Sequence, residues 1–178
     1  PSELEKGAGQ RKPIGRFSFA WNADTLRPRI EQLLRNPVDT DVAKQNGIGE
    51  SNLAKFTNVF ICGSICGGTG AGTFLDMAYL VRNVASHISN RSIYIYGMLG
   101  LASLFEGIQG DANIKPNCYA SLVELDHFMN PFTYQNEYRR FFPAYKNIGP
   151  KQWDYSKSAE NGPFDFPFLF DKTNSAGF

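Results

Sequence analysis

Between Val59 and Thr73 a short apolar run, Val59-Phe60-Ile61-Cys62, passes through Gly63-Ser64-Ile65-Cys66 into Gly67-Gly68-Thr69-Gly70-Ala71-Gly72 and on to Thr73. Few folds accommodate that order. In Thr73 to Arg82, Leu75, Met77, Ala78 and Val81 stand near helical spacing, so the stretch predicts a strand, a glycine turn and the N-terminus of a helix. Glycine admits positive φ and carries no Cβ to hold a bulky anion away from the backbone. A helix N-terminus adds free N–H groups and the positive end of the macrodipole. The layout is that of a phosphate-binding turn. The plainer reading is a tight strand-to-helix connection whose glycines only permit close packing. Four glycines and a threonine within six residues exceed what such a turn requires.

Two familiar anion loops fit poorly. A P-loop laid from Gly63 to Gly68 puts Thr69 where the lysine that reaches the outer phosphates belongs. A dinucleotide fingerprint on Gly68, Gly70 and Thr73 lacks its third glycine, and Ser89-Asn90-Arg91-Ser92-Ile93 supplies no acid about 20 positions on for a ribose. An NAD-binding oxidoreductase is therefore the lesser alternative.

Gly67-Gly68-Thr69-Gly70-Ala71-Gly72 closely resembles the signature loop of the tubulin and FtsZ superfamily, GGTG followed by a small residue and another glycine. It departs at Cys66, where another small residue is usual. Two further segments resemble the family in the correct order. Upstream, Lys6-Gly7-Ala8-Gly9-Gln10 and the residues to Arg16 look like the loop in which Gly-Ala-Gly approaches a γ-phosphate and leads into a helix. Downstream, the alternating strand Ile93 to Leu101 is followed by Phe105-Glu106-Gly107, similar to the Phe-Glu-Gly of the next nucleotide-side loop, without the basic residue expected after it. A helix is predicted over Lys115 to Leu125, with Pro116 early, where a missing N–H costs little. An apolar strand returns at Phe164 to Phe170, and Asp171-Lys172-Thr173-Asn174 resembles a strand end whose asparagine contacts ribose and base. Both ends of the family's domain are missing, so an excerpt of a larger protein is expected. The divergent loops and the long insertion before Phe164 look more like the large bacterial tubulin-like proteins than like tubulin or FtsZ.

The resemblance implies an α/β fold with a mostly parallel sheet sandwiched by helices, a Rossmann-like three-layer domain that is incomplete at both ends. Residues 1–178 would form one partial nucleotide-binding domain with an aromatic-rich insertion at about 129–163. The implied ligand is GTP or GDP with Mg²⁺. Gly67, Gly68, Thr69, Gly70, Ala71 and Gly72 would hold phosphates, Ala8 and Gly9 would lie near the γ-phosphate, Glu106 on the nucleotide side, and Asn174 against sugar or base. Thr69 has a rival and compatible role as helix N-cap. In the family the acids that activate water come from the next subunit of a filament, so the resemblance implies self-association and leaves no catalytic residue to name within this chain. A fold that has kept the domain and lost turnover, a scaffold, is the second reading.

Composition agrees with one soluble cytoplasmic domain: 178 residues suffice for a core, and 42% hydrophobic content is ordinary. Eighteen basic against 17 acidic residues leave a net charge of +1, no electrostatic footprint for nucleic acid or anionic lipid. No run of about 20 apolar residues is present. Cys62, Cys66 and Cys118 are too few for a disulfide framework and poorly spaced for zinc, so they read as small buried apolar residues. Residues 14–35 read as a helix that Pro28 should kink or split in two, and 36–55 as a loop. Asp76 and Glu124 fall on expected helices, where an acid is most often solvated or ion-paired.

Overall fold

A computed structural model describes residues 7–35, 56–88, 92–107, 112–130 and 162–172. The elements run α1 (Lys12–Arg35), β1 (Phe56–Ser64), α2 (Gly68–Ala85), β2 (Ser92–Gly100), a 3₁₀ turn (Ala102–Phe105), α3 (Ile114–Met129) and β3 (Phe166–Phe170). The strands form one parallel sheet in the order β1-β2-β3. Phe56 lies opposite Ser92 and Ser64 opposite Gly100, while Tyr96 to Gly100 pairs with Phe166 to Phe170. Parallel neighbours need crossovers, and helices normally supply them: α2 joins β1 to β2, and the path from β2 to β3 includes α3. The expected α/β architecture, a parallel sheet with flanking helices, is present.

Strand alternation sorts the two faces of the sheet. Ile95 and Leu99, both fully buried, point toward the helices and meet Leu80, Val84, Cys118, Leu125 and Phe128 in one core. Full burial of each such aliphatic side chain contributes about 1.5–3 kcal/mol. Phe164 closes this core, parallel to Phe74 at 6.3 Å and against Gly97, where a Cβ would come within 3.0 Å of its ring. On the opposite face Phe60 stacks on Tyr96 at 4.9 Å and Tyr96 on Phe166 at 5.2 Å, and among the described residues the outer rungs Phe60 and Phe166 stay exposed while Tyr96 between them is partly buried. Cys62 belongs to that face and is exposed, which corrects its reading as a buried residue; Cys66 and Cys118 are buried as expected.

Two other elements differ from expectation. α1 continues unbroken through Pro28. Both Pro28 and Asp24, whose carbonyl loses its partner, lie on the exposed side of the helix, where water can satisfy the orphaned group. α2 begins at Gly68, so Gly68, Gly70 and Gly72 are helical rather than parts of a loop. Helix interiors lose about 1 kcal/mol per glycine relative to alanine, so something else must require them, and packing does. The 36–55 loop, most of the 129–163 insertion and Asn174 lie outside the described residues.

Candidate functional site

Because the three strands are parallel, their carboxyl ends share one edge of the sheet, the place where open α/β sheets bind ligands. β1 leads through Ile65 and Cys66 to Gly67, the N-cap of α2. Gly67 is extended (φ −90°, ψ −179°), and among the described residues no side chain caps the helix and no atom comes within 4 Å of a Cβ built on it. The first-turn amides of a helix have no partners within the helix. A glycine cap leaves them to whatever occupies that space.

Loop 7–11 closes over this helix end. Gly7, Gly9 and Gln10 all have positive φ (79°, 51° and 58°), and Arg11 N–H donates to the Ala8 carbonyl at 2.8 Å, curling the chain into a turn that enters α1. A Cβ on Gly68 would fall 2.6 Å from Arg11 N and 2.8 Å from the Ala8 Cβ. A Cβ on Gly72 would fall 2.5 Å from the Lys12 carbonyl oxygen, and one on Gly15 would overlap the Gly68 carbonyl. On the other side, a Cβ on Gly70 would overlap the Ser64 carbonyl at the end of β1. Three of the four signature glycines thus bring α1, α2 and β1 into backbone contact.

Side chains brace the same junction. Asn117 of α3 donates through Nδ2 to the Gln10 carbonyl at 2.8 Å and to the Cys66 carbonyl at 3.1 Å. Lys12 Nζ pairs with Glu124 at 2.5 Å and donates to Ser121 at 3.3 Å, and Arg16 pairs with the buried Asp76 at 3.2 Å. Asp76 and Glu124 are therefore ion-paired helix acids, as expected. Burial above all pushes the Cys66 thiol up from its ordinary 9.0 to about 11, the hydrogen bond with Ser64 opposing and Cys118 adding to the rise.

A second feature at the same edge is a cleft of about 290 Å³ between the 3₁₀ turn and the start of α3, lined by Ala102, Phe105, Glu106, Ala112, Ile114 and Lys115. Lys172 N–H donates to Ser103 Oγ at 2.9 Å, and Leu101 N–H to the Phe170 carbonyl at 2.8 Å, which ties the end of β3 to this turn. Of the residues predicted for the site, Ala8, Gly9, Gly67 and Gly68 come together at the α2 N-terminus. Thr69 is exposed beside them, Ala71 is buried in packing, and Glu106 borders the cleft. Sequence reasoning passed over Asn117 and Gly15; an asparagine one turn into a helix, where it forms helix poorly, was the available signal for the first.

The profile of a family described as tubulin-like matches residues 1–177. The chain belongs to the tubulin-like family. The Gly-Ala-Gly turn, the glycine-capped helix and the Phe-Glu-Gly turn of this tubulin-like protein all lie within the matched residues. Neither the curated proteins nor the solved structures yielded a match. No helix among the described residues of the tubulin-like chain is long and apolar enough to cross a membrane.

Proposed function

We propose that this chain is the nucleotide-binding part of a bacterial tubulin-like cytoskeletal protein that takes GTP or GDP. The observation that carries the reading is the glycine-capped N-terminus of α2 at the carboxyl edge of a parallel sheet, where a Cβ on Gly67 meets no described atom within 4 Å and loop 7–11 folds against the helix end. The amides at Gly67, Gly68 and Thr69 would take inner phosphate oxygens, with the Thr69 hydroxyl beside them. Ala8 and Gly9 would face the outer phosphate. The cleft at Glu106 would receive the sugar, and Asn174, on the chain just beyond β3, the sugar or base. Mg²⁺ would enter on the nucleotide's own phosphates, the usual way that ion is held.

Backbone amides fixed before the ligand arrives stabilise charge without reorganising. They do not position a water, and Asp76 and Glu124 are engaged in ion pairs. Hydrolysis would therefore depend on assembly into filaments, with the neighbouring subunit supplying the acids, in a cytoplasmic setting. A scaffold without turnover is the second reading, favoured by that same engagement.

Titration of the full-length protein with fluorescent GTP, ATP and NAD in the presence of Mg²⁺ tests the proposal. GTP-selective binding that Gly67→Ala weakens, with an unchanged thermal melt, is the expected result, because the new methyl group would sit in the anion position and meets no described atom within 4 Å. Binding of all three alike, or full binding by the variant, would sink it. Turnover that rises steeply with protein concentration would exclude the scaffold.

A further inference from the structure

We infer that Asn117 is a positioning residue that sets the gap between loop 7–11 and the glycine cap of α2, and thereby the preference of the site for a triphosphate over a diphosphate; this rests on the nucleotide-binding reading above. A side-chain amide nitrogen carries two N–H donors. Asn117 has one carbonyl on each loop within reach of that nitrogen, Gln10 at 2.8 Å and Cys66 at 3.1 Å, although the acceptors are 56 positions apart in the chain. Both are backbone oxygens whose peptides matter to the site. A trans peptide directs its C=O and N–H in opposite directions. Holding the Cys66 carbonyl toward α3 therefore turns the Gly67 N–H away from α3. The Cys66 N–H is fixed in turn by Ser64 Oγ at 3.1 Å, so the residue before the cap is held on both sides.

On the other loop, Gln10 occupies the left-handed region at φ 58°, unfavourable for a residue with a side chain and sustained only where surroundings enforce it. Asn117 holds the carbonyl of that residue, and the Arg11 N–H of the same peptide donates to Ala8 at 2.8 Å. The strut thus orients one peptide in each loop, and its length fixes their separation. A ligand that touches only the α2 cap needs one loop placed correctly; a ligand whose outer phosphate also reaches Ala8 and Gly9 needs both. Loss of the strut therefore weakens triphosphate binding more than diphosphate binding.

The decisive measurement compares GTP and GDP affinities, with Mg²⁺, for full-length wild type, Asn117→Ala and Asn117→Asp, together with amide hydrogen exchange without nucleotide. The aspartate keeps the size and removes both donors. The expected result is a GTP-to-GDP affinity ratio lowered by about tenfold, the scale of losing two ordinary hydrogen bonds, with faster exchange confined to residues 8–11 and 65–68. A ratio that stays constant while both affinities fall would reduce Asn117 to packing and overturn the inference. Unchanged exchange in both loops would overturn it too. Failure of wild type to bind either nucleotide would instead remove the nucleotide-binding reading itself.

Discussion

Gly67 and Gly70 stand three residues apart in the same signature and face opposite surroundings. A Cβ on Gly67 would meet no described atom within 4 Å, whereas one on Gly70 would overlap the Ser64 carbonyl. The contrast extends to their neighbours: Gly68 and Gly72 abut the backbone of Ala8, Arg11, Lys12 and Arg16, while a Cβ on Gly7 or Gly9 in the covering loop would meet no described atom within 4 Å. One glycine-rich motif therefore serves two physical ends. Its first residue caps a helix end clear of the other described atoms, and the rest let two helices and a strand approach closely enough to build that end. Of the two readings available in the sequence, close packing describes Gly68, Gly70 and Gly72, and the anion turn remains the proposal for Gly67.

Gly70→Ala is the strongest way to break this division. Helix propensity alone says the change stabilises by about 1 kcal/mol. Overpacking against rigid backbone costs about 1–3 kcal/mol and occasionally more, and here the obstacle is a strand-end carbonyl that cannot rotate aside. The steric term should win, with a net loss of about 2 kcal/mol or a failure to fold, read by urea unfolding. A stabilised variant would mean that β1 and α2 are not in backbone contact.

Away from the glycines, the closed side of the sheet has a polar fastening that gives the next largest effect. Asp165 accepts the Ile95 N–H at 2.6 Å and pairs with Arg82 at 3.0 Å, and the Arg82 side chain is only 13% exposed. Asp165→Ala should destabilise by about 1.5–2 kcal/mol, within the range for hydrogen bonds to charged groups. A loss below about 0.5 kcal/mol would put the fastening among surface ion pairs of little consequence.

The helical and strand periods were legible wherever burial is one-sided. β1, β2 and β3 fall where alternation or apolar runs predict them, and α3 starts within a residue of the expected Lys115. What was not legible depends on tertiary approach. Propensity places glycine outside helices, so the start of α2 at Gly68 shows only once Ala8, Arg11 and Ser64 are seen pressing on it. Pro28 survives inside α1 because its side of the helix meets water, a fact about position in the fold that local sequence does not carry. Asn117 reads as an ordinary helix-surface residue until two remote carbonyls converge on it. Membership of the family was legible because its signature stands at Gly67 to Gly72, while the different surroundings of those glycines follow from how α1 and β1 approach α2.

The thiols sharpen the same contrast between closed and open surfaces by pH and by reactivity. With its folded value raised from 9.0 to about 11 by burial, Cys66 keeps its proton in the native state where the unfolded chain has begun to lose it. The native state then binds more protons, so its contribution to stability is complete below about 9 and declines as pH rises toward about 11. Unfolding midpoints measured across that window should fall for wild type, and less for Cys66→Ala. A thiol reagent at neutral pH should label the exposed Cys62 first and leave Cys66 and Cys118 protected until unfolding. Equal labelling of all three would mean that the space beneath the glycine turn is open.

The smallest expected effect on stability is the most pointed. Gly67→Ala adds a methyl group at an extended residue with φ −90°, a conformation any residue adopts, and among the described residues no atom lies within 4 Å of the new carbon. Replacing glycine at an N-cap by alanine removes one of the better caps, while the reduced freedom of the unfolded chain favours the variant by about 0.4–1 kcal/mol. These terms nearly cancel, so the urea midpoint should move by no more than about 0.5 kcal/mol equivalent. The same methyl group sits where a phosphate oxygen would approach the α2 amides, so guanine nucleotide affinity should fall while the fold stays as stable as wild type. Gly70→Ala should show the reverse order, with stability lost first. If the two variants behaved alike in both measurements, the division between an open cap and a packed helix turn would be wrong, and the glycine run would have a single role.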